Sequence, residues 1–138
     1  HVIIARKDHP LVHKSKVTPE DLENASWIGH AQRSMLYSDM ATTLASIGVT
    51  NLKFGFHSES AGANFEMLRK TDFLTVLPRY ALSKTQTESG LSILPVQFTT
   101  AGLTVGMVTL KQRQPSALLA AFQAHARTYV AASGLNRD

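Results

Sequence analysis

The chain has no cysteine among its 138 residues. This excludes a disulfide framework and any metal site built on thiolates, and it fits a reducing compartment. No apolar run approaches the ~20 residues that a membrane-spanning helix needs, and no export signal precedes the first predicted strand. We therefore expect a cytoplasmic protein that has no membrane partner.

Aromatic residues are also scarce, at 7% with a single tryptophan, whereas 43% of the residues are hydrophobic. This composition predicts one domain with a mainly aliphatic core. The net charge of +4 would allow a nucleic-acid partner. The basic residues of the chain, however, are scattered singly and are not interleaved with aromatics, so we do not expect this chain itself to contact DNA.

Strands and helices alternate along most of the sequence. Apolar runs predict strands at residues 2–6, 26–30, 52–57, 73–77, 91–96 and 103–110, and helical spacing predicts helices at 34–47, 61–70, 79–85 and 115–132. A further short helix has Thr18 as its N-cap, Pro19 in its first position and Asp21 at the capping-box position. Gly48 is predicted to end the helix at 34–47. The alternation indicates an α/β fold with a largely parallel central sheet.

Short motifs follow one another in a recognisable order. They are Asp8-His9-Pro10-Leu11 after the first strand, Val17-Thr18-Pro19-Glu20-Asp21-Leu22 followed by Trp27-Ile28, Ser58 and Ser60 after a strand, Leu74-Thr75-Val76-Leu77-Pro78, and Pro115-Ser116-Ala117 at the start of the final helix. Together they cover nearly the whole chain and resemble the regulatory domain of LysR-type transcriptional regulators. One departure is Lys70-Thr71-Asp72-Phe73, where family members usually carry a glycine-rich turn; aspartate tolerates unusual dihedral angles, so the turn can still form.

The resemblance implies a fold similar to type II periplasmic binding proteins, in which two α/β subdomains hinge around a small ligand. Residues 1–6 would be a crossover strand, residues 7–102 the second, effector-binding subdomain, and residues 103–138 the return crossover strand and the C-terminal helix of the first subdomain. The chain is thus expected to be N-terminally truncated, and DNA would be a partner only through an N-terminal domain absent from it.

The same resemblance implies a function, which is to couple binding of a small-molecule effector to transcription control. A periplasmic solute-binding protein of the same fold is the alternative. No cofactor is expected. No Gly-x-Ser-x-Gly or phosphate-binding loop motif is present, so we do not predict an enzyme. The apolar stripe of the final helix, which includes Leu118, Phe122 and Tyr129, predicts a homo-oligomer.

Ligands of parallel sheets bind at the carboxyl ends of the strands, which directs attention to the loops at 29–34, 58–61 and 78–80. The predicted effector-binding residues are His30, Gln32, Arg33, Ser34, Ser58, Ser60 and Pro78. Ser34 fits both a cleft hydroxyl and a plain N-cap. With Arg33, which could pair with a carboxylate, it favours a small organic anion. His9 and His13 are four residues apart, but Pro10 lies between them and no zinc site is predicted.

Overall fold

The computed structural model describes residues 1–79, 82, 90–98, 106–110 and 116–133. The chain divides into two compact units, His1–Ala101 and Gly102–Asp138, and each is described by itself. The predicted division into residues 1–6, 7–102 and 103–138 refers to the subdomains of a complete sensor and stays a prediction.

A central sheet organises the first unit. Its strands are β1 (Val2–Arg6), β2 (Ser26–Gly29), β3 (Lys53–His57), β4 (Phe73–Leu77) and β5 (Leu91–Ile93), in the spatial order β3-β2-β4-β1-β5. Strand β2 pairs in parallel with β3 and β4, whereas β1 runs antiparallel to β4 and β5. Two of the four strand pairings are thus parallel and two are antiparallel, so the sheet is mixed. The α/β fold is confirmed, whereas the predicted largely parallel pairing holds only for β3, β2 and β4.

Helices cover both faces of this sheet. They are α1 (Pro19–Asn24), α2 (Met35–Ala45) and α3 (Ala61–Lys70), and a 3-10 turn spans Pro10–His13. Successive strand residues point to opposite faces, so the buried residues divide into two clusters. The cluster shared with α1 and α2 includes Ile3, Ala5, Leu22, Trp27, Met40, Leu44 and Leu74, and the one shared with α3 includes Val2, Ile4, Ile28, Leu68 and Leu91.

The predicted start of α1 is confirmed. Thr18 Oγ1 accepts a hydrogen bond from the Asp21 amide at 3.2 Å, and the Asp21 carboxylate accepts one from the Thr18 amide at 3.1 Å. Two amides of the first turn, which have no partner within the helix, are thereby satisfied.

The turn that ends α2 contains Gly48, as predicted, although the helix itself ends at Ala45, two residues before the predicted last residue Ile47. Gly48 has a φ of +85°, which only glycine adopts without strain. This turn lets the Val49 amide donate to the Leu44 carbonyl at 3.1 Å and the Gly48 amide donate to the Ala45 carbonyl at 3.0 Å. The pattern is a Schellman motif, and its apolar contact joins Val49 to Leu44 in one core cluster.

The turn before β4 forms without glycine and without a positive φ at Asp72. Thr71 ends α3 by donating its hydroxyl to the Met67 carbonyl at 2.7 Å, and the same oxygen accepts the Phe73 amide at 3.3 Å. The Arg6 guanidinium holds the Asp72 carboxylate at 2.7 Å. A threonine and an ion pair thus replace the glycine-rich turn of the family pattern.

The second unit contains α4 (Ala117–Ser133); Pro115, its predicted first residue, lies outside the described residues. The strand predicted at 103–110 is wrong over 106–110, which have no regular secondary structure. A strand exists only where a neighbour accepts its hydrogen bonds, and no described residue pairs with this segment. Of the helix predicted at 79–85, only residues 79 and 82 are described. No described helix is long and apolar enough to cross a membrane.

Candidate functional site

The carboxyl ends of three parallel strands meet at one end of the sheet, which we call the carboxyl edge. Gly29 of β2 lies opposite His57 of β3, and the Ser58 amide that follows β3 donates to the Gly29 carbonyl at 3.2 Å. The loops after β2, β3 and β4 begin here. This is the end of a parallel sheet at which ligands bind, because the helices that follow present free amides there.

A cavity of about 160 Å³ opens at this edge, on the face of the sheet that α3 covers. We call it the carboxyl-edge cavity. Its lining is mostly apolar and consists of His30, Leu36, Glu59, Ala61, Asn64, Phe65, Leu68, Thr75 and Leu77. The lining residues come from β4, α2, α3 and the loops after β2 and β3, so the cavity depends on the whole parallel part of the sheet.

Two lining side chains each have a buried polar atom without a partner. His30 and Asn64 are each 8% exposed, and among the described residues nothing hydrogen-bonds to His30 Nδ1 or to Asn64 Oδ1. The orientation of the Asn64 amide is fixed, because its nitrogen donates to the Ser58 carbonyl at 3.2 Å and an amide oxygen could not. Buried polar atoms are rarely left unpaired in proteins, so these two mark the cavity as a place for a polar group.

Short hydrogen-bonded contacts tie the loops of this edge together. The Glu59 carboxylate accepts the Ala31 amide, which links the loop after β3 to the loop after β2. Ser58 Oγ accepts the Ser60 amide at 3.0 Å, and Ser60 caps α3 by accepting the Ala63 amide at 3.3 Å. The edge is therefore held in place before any ligand arrives, which lowers the entropic cost of binding.

The start of α2 lies at the same edge. Ser34 is its N-cap and accepts the Tyr37 amide at 3.1 Å, which confirms the capping role. Gln32 and Arg33 precede it and are exposed. Arg33 has a φ of +74°, an uncommon conformation for a residue with a side chain, and such residues concentrate at functional sites.

The structure places all the predicted site residues at the carboxyl edge. Of these, His30 lines the cavity. The Ser58 carbonyl accepts a hydrogen bond from Asn64, which is a lining residue. Pro78 follows β4 and is half-buried. Their contact with a ligand stays a prediction.

Sequence reasoning did not select Asn64 and Thr75. Thr75 is the polar residue within an otherwise apolar strand; it is buried, and its hydroxyl donates to the Ile28 carbonyl at a long 3.4 Å. Asn64 stands four residues before the fully buried Leu68, hence on the inner face of α3. A polar residue on a buried face was the signal available in both cases.

A larger concavity of about 360 Å³ lies at the opposite end of the sheet, where β2 and β4 begin. None of the described residues that line it has a buried polar side-chain atom without a partner. His9 Nδ1 accepts the Leu11 amide at 3.1 Å, while Nε2 faces the Asp72 carbonyl at 3.3 Å. Lys14 holds the Asp21 carboxylate at 2.7 Å. Because these groups serve the fold, we place the functional site at the carboxyl edge despite its smaller volume.

Burial lowers the pKa of His9 below its ordinary value of 6.5, although Asp72 opposes this shift. The hydrogen bonds agree with it, since an imidazole whose Nδ1 accepts a hydrogen bond carries no proton on that atom and is therefore neutral. Nowhere in the described ranges do three side chains of histidine, aspartate or glutamate stand close enough to hold a metal ion.

Comparison with known proteins agrees with this architecture. The family model described as the LysR substrate binding domain matches residues 1–131. A similar solved structure is the regulatory domain of CcmR from Synechocystis PCC6803 in complex with 2-PG, at 20% sequence identity and a TM-score of 0.70. The match covers 93% of this chain and 61% of that one. No curated protein sequence matches the chain significantly.

These findings confirm the predicted family and the fold similar to type II periplasmic binding proteins, and they favour the regulator over a periplasmic solute-binding protein. The chain belongs to the LysR substrate-binding domain family.

Proposed function

We propose that the chain binds its small-molecule effector at the carboxyl edge of β2, β3 and β4. One contrast carries this proposal. The carboxyl-edge cavity holds two buried polar atoms that have no partner among the described residues, whereas no described residue that lines the larger concavity at the opposite end has a buried polar side-chain atom without a partner. A preorganised pocket with a few unsatisfied polar groups is the usual form of a small-molecule site.

In the complete sensor that the family fold implies, a second α/β subdomain would form the opposite wall of the cleft. Effector binding would favour the closed arrangement of the two walls and so change the positions of the DNA-binding domains. DNA is thus a partner through a separate N-terminal domain, and the regulator acts in the cytoplasm. The role is that of a sensor, and no catalytic step is assigned to the site.

The predicted site residues are His30, Gln32, Arg33, Ser34, Ser58, Ser60 and Pro78, and we retain them as effector contacts. A small organic anion is supported by the start of α2, where first-turn amides lack partners within the helix and favour negative charge. Exposed Arg33 adds a positive charge nearby.

The anion can be tested at Arg33. Arg33→Asn removes the charge, and asparagine tolerates the left-handed conformation found there. Affinity for an anionic effector should fall about tenfold, the effect of one charged hydrogen bond. Lys16→Asn, at another exposed position, is the control and should leave the affinity unchanged.

A homo-oligomer is supported by the exposed apolar side chains of α4. Leu118 is 82% exposed, Phe122 60% and Tyr129 64%. Large apolar side chains that repeat along one helix mark an interaction surface. Light scattering that shows a monomer across a broad concentration range would contradict this part of the proposal.

The whole proposal is tested by thermal-shift screening of the complete sensor against metabolite acids and their neutral analogues. A true effector raises the melting temperature in a concentration-dependent manner, because it binds only the folded state. We expect a hit of at least micromolar affinity whose effect is lost when residues of the carboxyl edge are substituted. A hit that is insensitive to those substitutions would overturn the site, and the absence of any hit would count against the function.

A further inference from the structure

We infer that the carboxyl-edge cavity accepts a compact, largely apolar group that carries a neutral hydroxyl. This inference rests on the proposed effector-binding function of the same site and names the chemistry of its inner part. It concerns the part of the effector inside the cavity, and not the part near Arg33.

The size of the cavity sets the first limit. A volume of about 160 Å³ is close to the ~150 Å³ of engineered apolar cavities that bind benzene in another protein. The carboxyl-edge cavity therefore takes a group about as large as a six-membered ring. Leu36, Phe65, Leu68 and Leu77 form much of its wall, so most of that group is apolar.

Asn64 sets the second requirement. Its Oδ1 is buried and unpaired within the described part of the chain, and the hydrogen bond from its nitrogen to Ser58 fixes the direction of the amide. An amide oxygen only accepts. The ligand therefore has to present a donor.

His30 does not determine whether the polar group of the ligand is a donor or an acceptor, because His30 Nδ1 can itself donate or accept according to the tautomer of the ring. A hydroxyl group, which both donates and accepts, satisfies either state. The His30 imidazole is therefore compatible with a ligand hydroxyl that donates to Asn64 Oδ1.

Charge provides the third limit. A carboxylate has no proton to donate, and in the cavity it would approach both Asn64 Oδ1 and the carboxylate of Glu59, which also lines it. Among the described residues, no lysine or arginine lines the cavity to offset this charge. An ammonium group can donate, but moving an ion into a mostly apolar cavity costs several kcal/mol. A neutral hydroxyl meets the requirement without either cost.

The test compares four ring compounds that differ in one substituent: phenol, toluene, benzoate and benzylammonium. Binding to the full chain is followed by NMR of leucine methyl groups, because three leucines, Leu36, Leu68 and Leu77, line the cavity. We expect phenol to shift these methyl signals and to bind more tightly than benzoate and benzylammonium.

The ratio of the phenol affinity to the toluene affinity isolates the contribution of the hydroxyl group to binding. Asn64→Leu removes the acceptor with little change in volume and should move this ratio about tenfold toward toluene, which corresponds to ~1.4 kcal/mol for a buried polar group. His30→Phe should move it in the same direction and makes the test independent of whether N64L folds. Asn24→Leu, at an exposed residue of α1, is the matched control and should leave the ratio unchanged.

Three results would overturn the inference: a ratio unchanged in both variants, tighter binding of benzoate or benzylammonium than of phenol at these methyl groups, or no shift of them with any probe. The proposed function and the hydroxyl cavity can be refuted independently of each other. An effector found by screening that shifts the amides of residues 30–34 and 58–60 but not the cavity methyl groups would leave the proposed function standing and refute the hydroxyl cavity.

Discussion

One chemical change, glycine to alanine, is expected to have opposite effects on stability at Gly48 and Gly62. Gly48 ends α2 with a φ of +85°. The left-handed conformation costs an alanine roughly 1–2 kcal/mol, while the lower entropy of the unfolded chain returns about 0.4–1 kcal/mol. Because a new Cβ would lie 3.7 Å from the Pro19 ring, an ordinary contact, backbone strain decides the outcome. Gly48→Ala should lose about 1 kcal/mol.

Gly62 lies in the first turn of α3, has no positive φ, and its new Cβ would meet only Ser60 Oγ at 3.9 Å. Gly62→Ala should therefore gain about 0.5–1 kcal/mol from helix propensity. Urea unfolding followed by circular dichroism measures both changes. With a slope of about 1–3 kcal/mol/M, the two midpoints should shift in opposite directions by roughly 0.5 M. A Gly48→Ala variant as stable as the parent would refute the Schellman motif at the end of α2.

Two further substitutions test the core and the pH dependence. Trp27→Phe removes a fully buried indole whose nitrogen donates to the Leu22 carbonyl at 2.9 Å. The free energy of unfolding should fall by about 2–4 kcal/mol, because the carbonyl loses its partner and packing is lost. A decrease below about 0.5 kcal/mol in urea unfolding would contradict the described core. The pKa of His9 is lowered in the folded state, so its contribution to stability is complete above pH 6.5 and is lost as pH falls through the folded pKa. Melting temperatures measured from pH 7 to 5 should fall less steeply for His9→Gln than for the parent, and the exposed-site control His13→Gln should follow the parent.

Local signals predicted most of the fold. The bounds of β1, β4 and α3 agree with the sequence patterns, because each segment has a clear apolar period and a stop signal next to it. The capping box at Thr18 and the glycine at position 48 act within a few residues, so their roles were readable from the sequence.

Features that depend on distant partners were not predictable. The segment 106–110 has the apolar composition of a strand, but pairing requires a neighbour that composition does not specify. At the site, the loops that contain the candidate residues could be predicted from the ends of the strands, whereas the presence of the cavity could not. Asn64 lines it only because α3 packs over β4, which places residues from different parts of the sequence around one volume.

The proposed effector site lies at the carboxyl edge of β2, β3 and β4. Amide chemical-shift mapping of the sensor with an effector found by screening tests it most directly. We expect the largest changes in residues 29–36, 58–64 and 75–78. Changes concentrated instead around His9, Asp21 and Asp72, at the opposite end of the sheet, would contradict it.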